Sequence, residues 1–225
     1  MSKVYCCSDL HGYYEAYEII KNFIKPEDKV YCLGDCNDRG PQPWKTVMAV
    51  YNDPQFIYLM GNHEFMLINT IRETIEAEMT ENDNFQLLIQ NGGYYTFKQW
   101  QRASQNKNWY KRLRNLPSLI KYINTNNQTI ILSHAGFTPP DNGLTLYELV
   151  WDREHIYDKW PEGQEEIIVH GHTPTYHFNH KKPEILKYAE NHKIDIDLGI
   201  TRTKTFALLD LDTLEPIYFK LTRED

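Results

Sequence analysis

Five short apolar runs, each followed by polar residues, recur along the chain and predict its main strands. The runs are rich in β-branched and aromatic residues, a composition typical of buried strands. Asp, Asn or His follows each of them within a few positions. The five runs with their polar ends are residues 4–12, 29–40, 56–64, 130–136 and 167–173.

Helical patterns lie between the first strands. Apolar residues recur at helical intervals over Tyr13–Phe23, and a second helix is predicted over Pro41–Val50. A longer helix is predicted after Gly61-Asn62-His63-Glu64, to about Met79. Strands that alternate with helices predict an α/β fold with a parallel sheet. The carboxyl ends of such strands lie at one edge, so we expect the polar residues after them to meet there.

The rest of the chain departs from this alternation. Helical stretches are predicted within 85–100 and 108–115, with a break at Asn91-Gly92-Gly93. Further strands are predicted at residues 119–123 and 129–132, and antiparallel strands at 194–198, 205–211 and 216–221. We expect a single domain over residues 1–225, with a helical cap segment at about 64–117. This cap either forms a wall over the functional site or covers the core without a substrate role.

Composition limits the classes of partner. The chain has 225 residues, of which 41% are hydrophobic, and its formal net charge is -7. An acidic chain is a poor general binder of nucleic acid, which needs a basic face. No apolar run approaches the roughly 20 residues that span a bilayer, and we expect no signal peptide before the strand that begins at Val4. We therefore expect a cytoplasmic monomer that binds neither nucleic acid nor membrane.

The four cysteines are Cys6, Cys7, Cys32 and Cys36. Their positions in or beside the first two strands do not fit a secreted disulfide framework. A zinc site is the alternative, but Cys6 and Cys7 are adjacent and should point to opposite faces of a strand. We expect reduced, buried cysteines, with Cys36 able to make the protein sensitive to oxidation.

The side chains expected at the shared edge form a metal-ligand set of two carboxylates, one amide and three imidazoles. Such a mixture suits manganese, with iron and zinc as alternatives. Six ligands are too many for one catalytic ion, so we expect two ions that share Asp35. The first ion would be held by Asp9, His11 and Asp35, and the second by Asp35, Asn62, His134 and His172.

Two such ions favour phosphoester hydrolysis. A metal pair stabilises the attacking and leaving oxygens of an in-line displacement and lowers the pKa of a bound water, which supplies hydroxide at neutral pH. His63 is the predicted proton donor to the leaving group, held in orientation by Asp38. Arg39 and Arg153 are predicted to bind the non-bridging phosphate oxygens as catalytic and substrate-binding residues.

Three sequence blocks resemble the signature motifs of calcineurin-like metallophosphoesterases. They are Asp9-Leu10-His11-Gly12, Gly34-Asp35-Cys36-Asn37-Asp38-Arg39-Gly40 and Gly61-Asn62-His63-Glu64. Their form resembles the phosphoprotein-phosphatase branch. Ser133-His134-Ala135-Gly136, Trp151-Asp152-Arg153-Glu154 and Gly171-His172-Thr173-Pro174 resemble the bacterial and bacteriophage-lambda type of serine/threonine protein phosphatase in that branch. The resemblance implies a four-layer α/β/β/α sandwich and the ligand and catalytic roles given above.

The resemblance leaves several functions open. Asn91-Gly92-Gly93 resembles an element of phage-type protein phosphatases, which favours phosphoprotein substrates, with serine/threonine or dual specificity. The alternatives are a diadenosine tetraphosphate hydrolase, another small phosphoester as substrate, and a phosphoprotein-binding scaffold without activity. Selectivity is expected from the cap and from the loop 139–141. A dinucleotide would need aromatic and basic side chains, and the cap offers Tyr94, Tyr95, Trp100, Trp109 and Tyr110 with Lys107, Lys111, Arg112 and Arg114.

Overall fold

The computed structural model describes residues 2–76, 83–104, 106–140, 143–178 and 182–222. Within these residues, ten strands form two five-stranded sheets with the orders β10-β9-β1-β2-β3 and β4-β5-β6-β8-β7. The strands are β1 (Val4–Cys7), β2 (Lys29–Cys32), β3 (Phe56–Tyr58), β4 (Leu119–Ile123), β5 (Thr129–Ser133), β6 (Ile167–His170), β7 (Leu186–Tyr188), β8 (Lys193–Asp195), β9 (Thr205–Asp210) and β10 (Glu215–Lys220). The helices are α1 (Tyr14–Phe23), α2 (Pro43–Asn52), α3 (Asn62–Glu76), α4 (Asp83–Gln90), α5 (Tyr94–Arg102), α6 (Asn106–Arg114), α7 (Leu146–Trp151) and α8 (Ile200–Thr203).

The first sheet joins a parallel half to an antiparallel half. β1 pairs parallel with β2, and β2 with β3, through the crossover helices α1 and α2. β9 and β10 form a hairpin, and β9 runs antiparallel to β1. The antiparallel strands predicted at 205–211 and 216–221 are therefore confirmed.

The second sheet corrects one strand prediction. β8 covers part of the predicted antiparallel strand at 194–198, but it runs parallel to β6 and antiparallel only to β7. The alternation of apolar and acidic residues over Ile194-Asp195-Ile196-Asp197 suggested a strand with one exposed face, as in an antiparallel sheet. All four side chains are buried, because β8 lies inside the sheet with both faces covered.

Adjacent residues in the strands pack into different layers, which gives the four-layer sandwich. Cys6 belongs to an apolar cluster shared with Leu132 and Ile194 of the second sheet, whereas Cys7 belongs to the cluster under the helices. Ile131, next to Leu132, packs with Leu149 of α7 on the outer side of the second sheet. The predicted α/β/β/α arrangement is confirmed. All four cysteines are free and buried, as expected.

The helical segment that lies between β3 and β4 in the sequence contains α3 to α6. The predicted end of α3 near Met79 lies outside the described residues, as does residue 141 of the loop 139–141. The predicted break is present: α4 ends at Gln90, Gly92 has a φ of 89°, and α5 begins at Tyr94. None of the described helices is both long enough and apolar enough to cross a membrane.

Candidate active site

The loops that follow β1 and β2 are bonded to each other along their backbones. His11 N donates to Asp35 O and Gly12 N donates to Cys36 O, each at 2.8 Å. Asp9, His11 and Asp35 have φ values of 54°, 39° and 54°, in the left-handed region. Such conformations cost free energy in residues other than glycine and cluster at functional sites. The paired loops hold these three residues in that conformation at the edge of the first sheet.

Asp35 lies at the centre of the site. Its carboxylate oxygens are 3.7 Å from His11 Nε2, 3.8 Å from His63 Nε2 and 3.4 Å from His134 Nε2. Only 2% of Asp35 is exposed. One buried carboxylate therefore faces imidazoles from three different segments of the chain.

The second sheet completes the cluster. Asn62 Oδ1 is 2.9 Å from His134 Nε2 and 3.1 Å from His172 Nδ1, and the His172 backbone N–H donates to Asp9 Oδ2 at 3.1 Å. The structure thus brings together all six side chains that the sequence placed at one edge: Asp9, His11, Asp35, Asn62, His134 and His172.

Two groups of potential ligand atoms occur in the cluster, and both contain Asp35. One group is His11, Asp35 and His63, and the other is Asp9, Asp35 and His134, with all atoms of a group within 4.8 Å of one another. The grouping differs from the expected one, which combined Asp9 with His11 and kept His63 as a proton donor. The shared position of Asp35 is the geometry that a bridging ligand requires, and its role stays a prediction.

Glu64 supports the site, although the sequence reasoning gave it no role. Its carboxylate accepts hydrogen bonds from the backbone N–H groups of Asp35 (2.7 Å), Cys36 (3.0 Å) and Gly61 (2.9 Å), and from the hydroxyl of Tyr58 (2.6 Å). A buried carboxylate with four donors fixes the loop that carries Asp35. The place of Glu64 in the Gly61-Asn62-His63-Glu64 block is the sequence feature that could have indicated this supporting role.

His63 is bonded to Asp38 in a fully buried pair. His63 Nδ1 lies 2.6 Å from Asp38 Oδ2, and the hydroxyl of Thr96, on α5, donates to the other oxygen of Asp38. Burial raises the pKa of Asp38 to about 7, whereas burial and the nearby Arg39 lower the pKa of His63. The lowered pKa favours the neutral imidazole, and because Arg39 donates to Nε2, the ring proton lies on Nδ1 and faces Asp38. Thr96 was missed because nothing in the sequence links it to Asp38.

The two predicted phosphate-binding arginines lie on the rim of the site. Arg39 Nη1 is 2.8 Å from His11 Nε2 and its Nη2 is 2.7 Å from His63 Nε2. Arg153 Nε donates to His172 Nε2 at 3.0 Å. Because a guanidinium group can only donate, the facing nitrogens of His11, His63 and His172 are acceptors.

The electrostatics of the cluster suit divalent cations. Burial, followed by the negative charges of Asp9 and Glu64, raises the pKa of Asp35. Burial lowers the pKa of His11, His134 and His172, which favours the neutral form of these imidazoles. Neutral imidazoles and buried carboxylates are the ligands that bind Mn, Fe and Zn. The donor set therefore fits a pair of divalent ions.

The cap contacts the site, but it offers fewer aromatic surfaces than expected. Gly92 lies against Arg39, and α5 supplies Thr96 to Asp38. These contacts favour the interpretation of the cap as a wall of the site. Trp100 and Trp109 are buried in the core, and Arg112 lies over the Trp109 ring, so neither indole is free to bind a ligand. Tyr94 and Tyr95 remain exposed.

Solved structures share this architecture. A candidate diadenosine tetraphosphatase superposes with a TM-score of 0.69 at 15% identity, covering 99% of this chain and 95% of that one. A protein serine/threonine phosphatase from Saccharomyces cerevisiae superposes with a TM-score of 0.61 at 14% identity, covering 100% and 81%. At these identities, the similarity shows the fold alone.

Curated relatives fall into two groups by activity. Serine/threonine-protein phosphatase 2 of Salmonella typhimurium is 26% identical over 68% of this chain and 69% of its own length. The asymmetrical bis(5'-nucleosyl)-tetraphosphatase PrpE of Geobacillus is 27% identical over 88% and 85%. The symmetrical enzyme of Buchnera aphidicola is 27% identical over 60% of this chain, which spans 45% of that enzyme's length.

The model of the calcineurin-like phosphoesterase family matches residues 2–199, which include the whole ligand cluster and both arginines. This family uses paired divalent metals, and the protein has the buried carboxylate and imidazole groups for them. The suspected phosphoprotein-phosphatase branch is consistent with the Salmonella relative. The chain therefore belongs to the calcineurin-like phosphoesterase family.

Proposed function

We propose that the protein hydrolyses phosphoesters at a dinuclear centre whose shared ligand is Asp35. The observation that carries this proposal is the position of the buried Asp35 carboxylate within 3.8 Å of imidazoles from three segments. When bound, two divalent ions supply a water of lowered pKa and positive charge for the phosphoryl oxygens. The ligands we assign are Asp9, His11, Asp35, Asn62, His134 and His172, with manganese as the proposed metal and iron and zinc as alternatives.

His63 is the proposed proton donor to the leaving oxygen. Its Nδ1 is bonded to Asp38, so only Nε2 can face a substrate, and Arg39 now donates to that atom. A phosphoryl group that pairs with Arg39 would draw the guanidinium away from Nε2. The same group would favour the protonated imidazole, because its negative charge opposes the lowering of the pKa by burial.

Arg39 and Arg153 are the proposed substrate-binding residues. Both are exposed, and both direct guanidinium N–H groups at histidines of the cluster. A guanidinium matches two phosphate oxygens with two parallel hydrogen bonds. The two arginines can therefore bind a phosphoryl group from different segments of the rim.

Manganese-dependent hydrolysis of p-nitrophenyl phosphate by the full chain tests the proposal. We expect activity that requires the metal and is lost on chelation. Metal-loaded protein with no turnover would instead support the non-enzymatic alternative, a phosphoprotein-binding scaffold. The cytoplasmic location and the monomeric state stay predictions, and gel filtration checks the second.

Phosphoproteins are the first candidate substrates. The similarity to the Salmonella serine/threonine-protein phosphatase supports them, as does the Asn91-Gly92-Gly93 element, whose Gly92 and Gly93 lie beside Arg39 and Asp38. A protein with this specificity should favour phosphoserine and phosphothreonine peptides over nucleotides.

Dinucleoside tetraphosphates are the second candidate substrates. The similarity to the Geobacillus enzyme supports them, because it extends over 88% of this chain. Values of kcat/KM for phosphopeptides and for diadenosine tetraphosphate, measured side by side, distinguish the two classes. A large preference for one class would settle the substrate and leave the metal chemistry unchanged.

A further inference from the structure

Two aromatic rings of α7 form a ladder at the edge of the site. Tyr147 and Trp151 are four residues apart and so share one face of the helix. Their ring centroids are 6.1 Å apart, with an interplanar angle of 24°. A capping box between Thr145 and Glu148 fixes the start of the helix. The ladder is therefore held by an ordered turn.

The inner end of the ladder touches the metal-ligand cluster. The Trp151 ring lies 6.1 Å from the ring of His172, edge to face, and Arg153 follows two residues later and donates to the same histidine. A substrate whose phosphate reaches Arg153 and His172 would place its next group along Trp151 and Tyr147. The ladder thus continues the phosphate site outward.

The outer end of the ladder is open to solvent. Tyr147 is 62% exposed, while Trp151 is partly buried. Glu148, Asp152 and Glu154 are neighbours of the two aromatic residues in the sequence, and Glu148 and Glu154 are exposed. Their negative charges disfavour a further phosphate or an acidic peptide near α7 and favour a flat, uncharged group that carries hydrogen-bond donors. An adenine base has these properties.

We propose that Tyr147 and Trp151 form a stacking subsite for the purine base of a nucleotide substrate. The inference rests on the proposed phosphoester hydrolase function and favours the second of its two candidate substrate classes, the nucleoside polyphosphates. Arg153 would bind the phosphates adjacent to the base. Stacking on an aromatic side chain needs only the face of the base, so the exposed Tyr147 ring is sufficient to extend the platform.

The test compares Tyr147→Leu, Tyr147→Phe and the wild type on two substrates. These are diadenosine tetraphosphate and a phosphoserine peptide that contains no aromatic residue. We expect Tyr147→Leu to raise KM for the dinucleotide about 5- to 150-fold relative to KM for the peptide. Tyr147→Phe keeps the ring and should restore the ratio to within about twofold of the wild type. The matched control is Tyr157→Leu, since Tyr157 is 76% exposed outside α7, and its ratio should equal that of the wild type.

Equal changes on both substrates would overturn the subsite, because a structural effect acts on both. The inference would also fail if Tyr147→Leu impaired a phosphotyrosine peptide but not the dinucleotide, since the ladder would then bind a tyrosyl ring. Binding of AMP by calorimetry gives a readout that does not require turnover. AMP binding that Tyr147→Leu weakens would support the subsite even if p-nitrophenyl phosphate were not hydrolysed, an outcome that would reject the hydrolase function alone.

Discussion

His63 lies close enough to Asp35 to be a metal ligand as well as a proton donor, and substitutions can distinguish these two roles. His63 Nε2 is 3.8 Å from Asp35 Oδ2, so distance alone does not decide whether His63 binds a metal or donates a proton. The hydrogen bond from His63 Nδ1 to Asp38 favours the donor role. A general acid contributes about 10²- to 10⁴-fold to a rate, whereas a shared ligand is needed to retain the metals.

His63→Asn is therefore expected to keep its metal content and to lower kcat by about 10²- to 10⁴-fold. Asp35→Asn is expected to lose both metal and activity, because it removes the carboxylate that both ligand groups contain. Elemental analysis of the purified variants, together with kcat on p-nitrophenyl phosphate, checks both statements. A His63→Asn protein without metal would show that His63 is a ligand.

Among individual residues, Lys193 gives a prediction about stability. It is fully buried, and its Nζ donates to Thr138 Oγ1 at 2.6 Å and to His155 O at 2.5 Å. Burial lowers its pKa to about 8 from 10.5. Above pH 8 the folded state releases a proton that the unfolded chain still binds, so this residue makes stability rise with pH up to about 10.

The free energy of unfolding, measured in urea from pH 7.5 to 9.5, checks this sign. The difference between the wild type and Lys193→Met should increase with pH, with a slope of at most about 1.4 kcal/mol per pH unit. Lys187→Met is the matched control for the loss of a lysine side chain, because the Lys187 side chain is 34% exposed. A constant difference for Lys193→Met would show that Lys193 keeps an ordinary pKa.

At the scale of elements, α5 supports the chemistry from outside the sheets. Thr96 accepts a hydrogen bond from the Asp38 backbone N–H and donates one to the Asp38 carboxylate. Substitutions of residues that orient a catalytic group cost about 10- to 100-fold. We expect this loss of kcat for Thr96→Val, with metal content unchanged and with Thr96→Ser close to the wild type.

Thr74→Val is the matched control for the loss of a hydroxyl. Among the described residues, the partner of the Thr74 hydroxyl lies in its own helix: it donates to Thr70 O at 2.8 Å. Its kcat on p-nitrophenyl phosphate should equal that of the wild type. Equal losses in Thr74→Val and Thr96→Val would indicate a general effect on the cap rather than on Asp38.

The contrast between Asp35 and Thr96 shows what sequence patterns can predict. Asp35 follows an apolar strand within a recognisable block, so the order of residues along this short segment was enough to predict its location at the sheet edge. Thr96 meets Asp38 across 58 residues, and no periodicity or motif connects them. The orientation of β8 was mispredicted for a related reason: its pairing with β6 is set by tertiary contacts, whereas the local alternation indicated a half-exposed strand.

At the scale of the whole molecule, the site joins the two sheets. Asp9 and Asp35 follow strands of the first sheet, while His134 and His172 follow strands of the second. Metals held by all four residues would bind only when the sheets are packed together. A ligand that binds only the folded state stabilises it by about 2.7 kcal/mol at 100 times its dissociation constant. For a chain of this length, that corresponds to a rise in Tm of about 5–11 °C.

Calorimetry with EDTA and then with excess Mn²⁺ tests this linkage. We expect the rise in Tm in the wild type and its loss in both Asp35→Asn and His134→Asn, because each sheet supplies part of the donor set. Asp210→Asn is the control. It loses the bond from Lys3 Nζ to the Asp210 carboxylate at 2.9 Å, so its Tm should be lower than that of the wild type. Mn²⁺ should still raise that Tm as it does in the wild type. The linkage would be wrong if Mn²⁺ raised the Tm of His134→Asn as much as that of the wild type but did not raise the Tm of Asp35→Asn. The first sheet alone would then bind the metals, and the packing of the two sheets would not be needed to hold them.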